Sequence, residues 1–151
     1  MNNLVVYFSQ FGNTQKLAEV IAERLSSNGD VRTISSDDLT VEDLKEADLL
    51  VMGSPTHNMN LPKSVKPVFE KLPKRILSGT PVAAFDTSYK MSGLLNQFTA
   101  SKRLIKKLRK LGGRPVLPPE IFHVTEREGP LYEGEIERAQ AWAGSILARL
   151  D

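Results

Sequence analysis

Residues Leu4 to Ile21, LVVYFSQFGNTQKLAEVI, constrain the fold of this chain more than any other stretch. Leu4, Val5, Val6, Tyr7 and Phe8 form an apolar, β-rich run long enough for one buried strand. The short turn Ser9-Gln10-Phe11-Gly12-Asn13-Thr14 follows. The spacing then becomes helical, with Leu17, Val20, Ile21 and Leu25 on one face. A buried strand whose turn opens a helix gathers backbone N–H groups at the helix N-terminus. That end carries roughly +0.5 of an elementary charge and favours an anion such as phosphate. Ser9 and Thr14 offer hydroxyls, Gly12 allows close backbone approach, and Asn13 is the candidate helix cap.

Several classes of chemistry fall away. The turn has no Lys-Ser/Thr pair of the kind that binds a nucleoside triphosphate with magnesium, and it lacks the three glycines of a dinucleotide fingerprint. What remains is a cradle of neutral donors for one terminal phosphate. The chain has no cysteine, which excludes disulfides, thiolate metal sites and a cysteine nucleophile. No carboxylate pair, Ser-His-Asp grouping or metal-ligand spacing stands out, so no catalytic residue and no metal ligand is assigned. A receiver-type phosphoacceptor site needs acids after the first strand and an Asp ending the third, where this chain has Ser9 and Gly53-Ser54. The N-terminus lacks a basic segment with a cleavage site, and no apolar run approaches ~18 residues. The expectation is a cytoplasmic protein that does not enter a membrane, folded as one domain over residues 1–151.

The rest of the chain alternates strands with helices. Asp30 to Ile34 reads as a short second strand and Val41 to Glu46 as a short helix. Asp48 to Gly53 is a near-continuous apolar run, as a central parallel strand requires. Lys63 to Leu72 has helical spacing, with Pro67 leaving its start open. Pro81 to Asp86 is a fourth strand, and about Asn96 to Leu111 is a helix closed by Gly112-Gly113. Val116 to Val124 is a fifth strand whose prolines suit an edge or a bulge. Thr125 to Leu131 is a polar connection, and Glu133 to Leu150 an amphipathic last helix that places Trp142 in the core. Five strands alternating with helices predict an α/β fold, a doubly wound five-stranded parallel sheet.

In the first loop the sequence resembles the flavodoxin family, on Val5-Val6-Tyr7, Ser9, Gly12, Thr14, Ala18 and Ile21 at the family's spacing. The likeness extends over the whole chain, and no insertion of about 20 residues interrupts the fifth strand, as in the short-chain branch. The resemblance implies the strand order 2-1-3-4-5 and FMN as cofactor. Ligands in this architecture sit at the carboxyl ends of strands 1, 3 and 4, where the winding reverses. The implied cofactor-binding residues are therefore Ser9, Gln10, Phe11, Gly12, Asn13 and Thr14 in the first loop and Pro55, Thr56, His57, Asn58, Met59 and Asn60 in the second. Asp86, Thr87, Ser88, Tyr89 and Met91 make up the third group. Tyr89 is the candidate to stack on the flavin ring, with Met91 as a weaker substitute. The family often places a Trp on the inner ring face, a role left here to His57, Met59 or Leu61. It also turns a backbone carbonyl toward the reduced ring, often at a Gly. This loop has none after Gly53, which leaves Asn58 or Asn60 to adopt that backbone. His57 is a candidate proton donor or tuning charge, set against a solvent-exposed loop His, and His123 a structural histidine.

Charge is unevenly placed. Thr87 to Pro119 holds eight basic residues and no acid, so the remainder carries twelve basic against eighteen acidic residues, a balance of −6. The basic stretch Lys102 to Arg114 admits a solvated helix face, a dock for acidic redox partners, or nucleic-acid binding, which the lack of interleaved aromatics apart from Phe98 disfavours. The leading expectation is an FMN-binding carrier that shuttles electrons between protein partners, as a monomer or weak dimer. An FMN-dependent NAD(P)H:quinone-type reductase and a flavin-free interaction module on the same fold remain as alternatives.

Overall fold

Leu4, Val5 and Val6 are buried on both faces of the sheet, so the first strand β1 (Asn2–Tyr7) can only be a central one. The computed structural model describes residues 1–9, 11–57, 60–90 and 99–150. Helix α1 (Asn13–Leu25) follows the first loop, and strand β2 (Asp30–Ser35) pairs with β1 in parallel register from Asn2↔Asp30 to Tyr7↔Ser35. The short helix α2 (Val41–Glu46) starts at a capping box. The Thr40 hydroxyl accepts from Asp43 N–H at 3.2 Å, and the Asp43 carboxylate accepts from Thr40 N–H at 2.9 Å. The Arg32 guanidinium, 2.7 Å away, is the main reason the Asp43 carboxyl lies below its ordinary range.

Strand β3 (Leu49–Pro55) lies between β1 and β4 (Pro81–Ser88). Helix α3 (Val65–Glu70) carries Pro67 as its third residue, in the first turn, where no intrahelical partner for an N–H is needed. Helix α4 (Ala100–Lys110) follows. The order is β2-β1-β3-β4 followed by the edge, all parallel, as the sequence and its resemblance imply.

The edge departs from expectation. The single fifth strand is two pieces, β5 (Arg114–Pro115) and β6 (Glu120–His123), both pairing with β4. Val82 pairs with Pro115 but Phe85 pairs with Glu120, so the edge holds two residues more than β4 over that span. Pro118 and Pro119 lie in the excess and have no N–H to give the ladder, which bulges there. The last helix, α5 (Glu135–Ala148), closes the chain.

Each face of the sheet is covered. Leu17, Ile21 and Leu25 of α1 and Ala139, Trp142 and Ile146 of α5 pack on one face around Val5, Val51 and Phe85. Leu44, Val65, Leu104 and Leu108 from α2, α3 and α4 pack on the other, against Val6, Met52 and Val82. Each such large side chain contributes about 1.5–3 kcal/mol on burial, far more than any strand or helix preference, so two apolar faces dictate the layering. Trp142 is in the core as expected, with ring centroids 5.9 Å from Phe85 and 6.1 Å from Phe122. Gly53 is required in β3 because a Cβ there would approach the Phe85 ring to 2.1 Å.

Candidate functional site

The carboxyl ends of β1, β3 and β4 come together at one end of the sheet. Phe8 N–H donates to the Gly53 carbonyl at 2.9 Å and Thr56 N–H to the Thr87 carbonyl at 2.9 Å, which locks the three strand ends side by side. The first loop leaves β1 and enters α1 through Gly12, whose φ of +90° lies in the left-handed region. A Cβ at Gly12 would meet nothing within 4 Å, so the outer side of the loop is open. The Ser9 hydroxyl accepts from Gly12 N–H at 3.1 Å. Thr14, buried in the first turn of α1, shares a hydrogen bond with the Thr87 hydroxyl at 3.2 Å and so ties the loop to the end of β4.

Asn13 is not the helix cap. Gly12 occupies the capping position and no side chain caps the helix, while Asn13 Nδ2 donates to the Glu128 carbonyl at 3.1 Å. The side chain is drawn away by the connection after β6, which is more than a polar link. Residues Val124 and Leu131 pair as an antiparallel bridge, Thr125 N–H donates to the Pro130 carbonyl at 2.9 Å, and Gly129 N–H donates to the Glu126 carbonyl at 3.0 Å. This hairpin lies against the first turn of α1 and carries Arg127 at its tip.

A narrow hollow of about 50 Å³ opens between these elements, lined by Phe11, Asn13, Thr14, Pro55, Thr56, His57, Thr87, Ser88, Tyr89, Val124 and Arg127. A larger one of about 570 Å³ lies on the other side of Pro55 and His57, bordered by Phe8, Ser9, Asn60, Leu61, Pro62, Lys63 and Ser64. Only the second has the volume usual for a small-molecule site, and the two are neighbours through Pro55 and His57. Phe11 and Tyr89 stand half exposed, at 42% and 48%, at the smaller one. The Arg127 guanidinium is 5.8 Å from the centre of the Phe11 ring. His57 and Asn60 exchange both backbone hydrogen bonds at 2.8 Å, and Asn60 Oδ1 accepts from Leu61 N–H. Burial and, after it, the Arg127 charge hold His57 below the ordinary histidine range, so its ring is neutral at pH 7 and Arg127 supplies the positive charge at this wall.

Of the residues expected at the site, Ser9, Phe11, Asn13, Thr14, Pro55, Thr56, His57, Asn60, Thr87, Ser88 and Tyr89 border the two hollows, and Gly12 lies between Phe11 and Asn13. Gln10, Asn58, Met59 and Met91 lie outside the described residues. Asp86 does not line either hollow: it is fully buried beneath the floor, where its Oδ2 accepts from Ser101 N–H at 2.7 Å. Thr56 Oγ1 accepts from Ala100 N–H at 3.0 Å, so the amino end of α4 rests on the same strand ends. Leu61, a candidate for the inner ring face, borders the larger hollow, while sequence reasoning missed Pro62, Lys63 and Ser64 beside it and Val124 and Arg127 as the hairpin side. Pro62 after an irregular loop was the only local signal for the former.

A family model described as the flavodoxin domain matches residues 4–124. A flavodoxin of Clostridium saccharobutylicum is 25% identical over 156 aligned positions, taking in 97% of this chain and 95% of that one. A flavodoxin of Clostridium beijerinckii is 38% identical over 84 positions, 54% of this chain and 60% of that one. Among solved structures, a flavodoxin from the domain Archaea superposes with a TM-score of 0.78 at 25% identity, covering 99% of both chains. Oxidised Flavodoxin 2 from Bacillus cereus reaches 0.82 at 21% identity over 98% of this chain and 99% of that one, a likeness of fold.

Proposed function

The chain belongs to the flavodoxin family of FMN-binding electron-transfer proteins, and from that premise we propose that it shuttles electrons between protein partners with the FMN phosphate in the Ser9–Thr14 loop. The residues present fit the group. The loop's outer side is open at Gly12, and Ser88 Oγ, on the wall of the narrow hollow, is buried without a hydrogen-bond partner among the described residues. Gly12, Asn13 and Thr14 present the phosphate end, Phe11 and Tyr89 offer apolar ring faces, and the hollow beyond Pro55 and His57 gives room beside them. The flavin supplies the redox chemistry when bound. The protein's part is to bind it, orient it and set the local charge. The observation that carries the reading is the open Gly12 turn held to the end of β4 by the Thr14–Thr87 hydroxyl pair.

Incubation of the protein with FMN and an absorbance spectrum test it. A yellow protein that photoreduces anaerobically and passes electrons to a second redox protein is the expected result. Steady-state NAD(P)H oxidation by the isolated protein would replace the carrier with a reductase, and a protein that stays colourless would leave an interaction module.

The partner side is acidic. The amino end of α4 abuts the site, and its outer face carries Lys102, Arg103, Lys106, Arg109 and Lys110, none of which forms an ion pair among the described residues. Complementary fields accelerate encounter and are screened by salt. Association with an acidic redox protein is therefore expected to slow as ionic strength rises, and Lys106→Glu with Lys110→Glu to slow it further. A rate that ignores salt would reject this face. The same charges make FMN a weaker reductant by favouring added negative charge nearby, which a redox titration of the charge-reversed protein checks.

A further inference from the structure

We propose that Arg127 is a cationic clasp on the phosphate end of this site, one that makes the protein select flavins carrying a phosphate over flavins without one. The inference rests on the FMN reading above. The first loop holds only neutral donors, and the Ser9 hydroxyl accepts from Gly12 N–H. The amino end of α1 gives a phosphate only a partial positive charge, and Arg127 adds a full one from elsewhere in the fold. Its side chain lines the same narrow hollow as Phe11, Asn13 and Thr14, with the guanidinium 5.8 Å from the Phe11 ring centre. Among the described residues it has no carboxylate partner. The adjacent acids Glu126 and Glu128 do not line the hollow, and Glu128 gives its carbonyl to Asn13 Nδ2. His57, which also lines the hollow, is held below the ordinary histidine range, and Lys63 borders the other hollow.

The hairpin positions the arginine. Gly129 has a φ of +98°, and a Cβ there would come within 2.7 Å of Asn13 Oδ1. The Asn13 side-chain amide therefore fills the space beside Gly129, and its hydrogen bond to the Glu128 carbonyl ties the hairpin to the first turn of α1. A guanidinium presents a planar fork of donors that matches two phosphate oxygens at once, whereas the uncharged tail of riboflavin offers it no such partner.

The test measures dissociation constants of the apoprotein for FMN and for riboflavin by quenching of flavin fluorescence, at low and high salt. Arg127→Gln is expected to weaken FMN about tenfold at low salt and to leave riboflavin unchanged, since the arginine is exposed and screening keeps the effect at the low end for a charged hydrogen bond. The unsubstituted protein loses FMN affinity with salt more steeply than the variant. Arg127→Lys restores part of the FMN affinity, because charge returns without the fork. Equal weakening of both flavins by Arg127→Gln, or no weakening of either in a protein that binds FMN normally, would overturn the clasp alone. Failure of the unsubstituted protein to bind FMN would overturn the cofactor reading and the clasp together.

Discussion

Two buried carboxyls, Asp86 in β4 and Glu135 bonded to the end of the neighbouring β6, behave oppositely. Glu135, 6% exposed, opens α5. One of its oxygens accepts from Arg138 Nε at 2.8 Å, and the other accepts from His123 N–H at 2.6 Å and from a second Arg138 nitrogen at 2.9 Å. Burial alone would raise its pKa, but those bonds and the Arg138 charge outweigh it and hold the carboxyl below its ordinary value. Asp86, fully buried near the end of β4, forms no ion pair among the described residues. Burial pushes its pKa up, and the bonds from Ser101 and Thr99 together with nearby His123 do not offset that. Among the described residues its Oδ1 has no hydrogen-bond partner, and neither has Nδ1 of His123. Burial raises both carboxyls, and the bonds and charge of Arg138 with the His123 N–H bond reverse the direction at Glu135 alone.

The comparison can be broken or sharpened in three ways. Phe85→Ala removes the ring packed edge-on to Phe122 and Trp142 directly before Asp86 in β4. It is expected to cost about 3–5 kcal/mol, read as a lowered urea midpoint, with the two carboxyls keeping opposite pH signs in whatever folded protein remains. Glu135→Gln keeps an acceptor for His123 N–H and removes the charge facing Arg138. A loss of about 1–3 kcal/mol at neutral pH is expected. A depressed carboxyl contributes stability above its unfolded pKa and loses it as pH falls through the folded value. The gap between wild type and Glu135→Gln therefore closes in acid, and a gap independent of pH would remove the ion pair from the account.

Asp86→Asn has the smallest expected effect in acid, where both side chains are neutral, and the opposite sign of pH dependence. A carboxyl raised by burial contributes stability below its unfolded pKa and loses it as pH rises through the folded value. The urea midpoint of wild type should fall relative to that of Asp86→Asn as pH rises. Parallel profiles would mean that burial does not raise the Asp86 carboxyl in the fold.

These details were not all equally readable. The first loop, the short helix at Val41–Glu46 and the central strands follow from apolar periodicity and capping chemistry that act across a few residues. The prolines at 118 and 119 announced an irregular edge, though not that it would divide into two strands. Thr87 and Ser88, read as loop, extend β4 because Phe122 and His123 of β6 pair with them, and no local feature records a pairing 35 residues away. Asn13 looked like a cap because its type favours one. A carbonyl 115 residues later took the side chain instead.

By itself, the amino-acid order determined the alternation of strands and helices, the neutral character of the first loop, and the separation of a basic stretch from an acidic remainder. Each depends on spacing or composition within a single segment. Tertiary structure decided which charges stand together: Arg127 beside Phe11 of the first loop, Arg138 beside Glu135, and Asp86 with no ion pair among the described residues. The winding of the sheet brings those side chains into range, and a charge interaction depends on distance in space and on exclusion of water, neither of which is written in neighbouring residues.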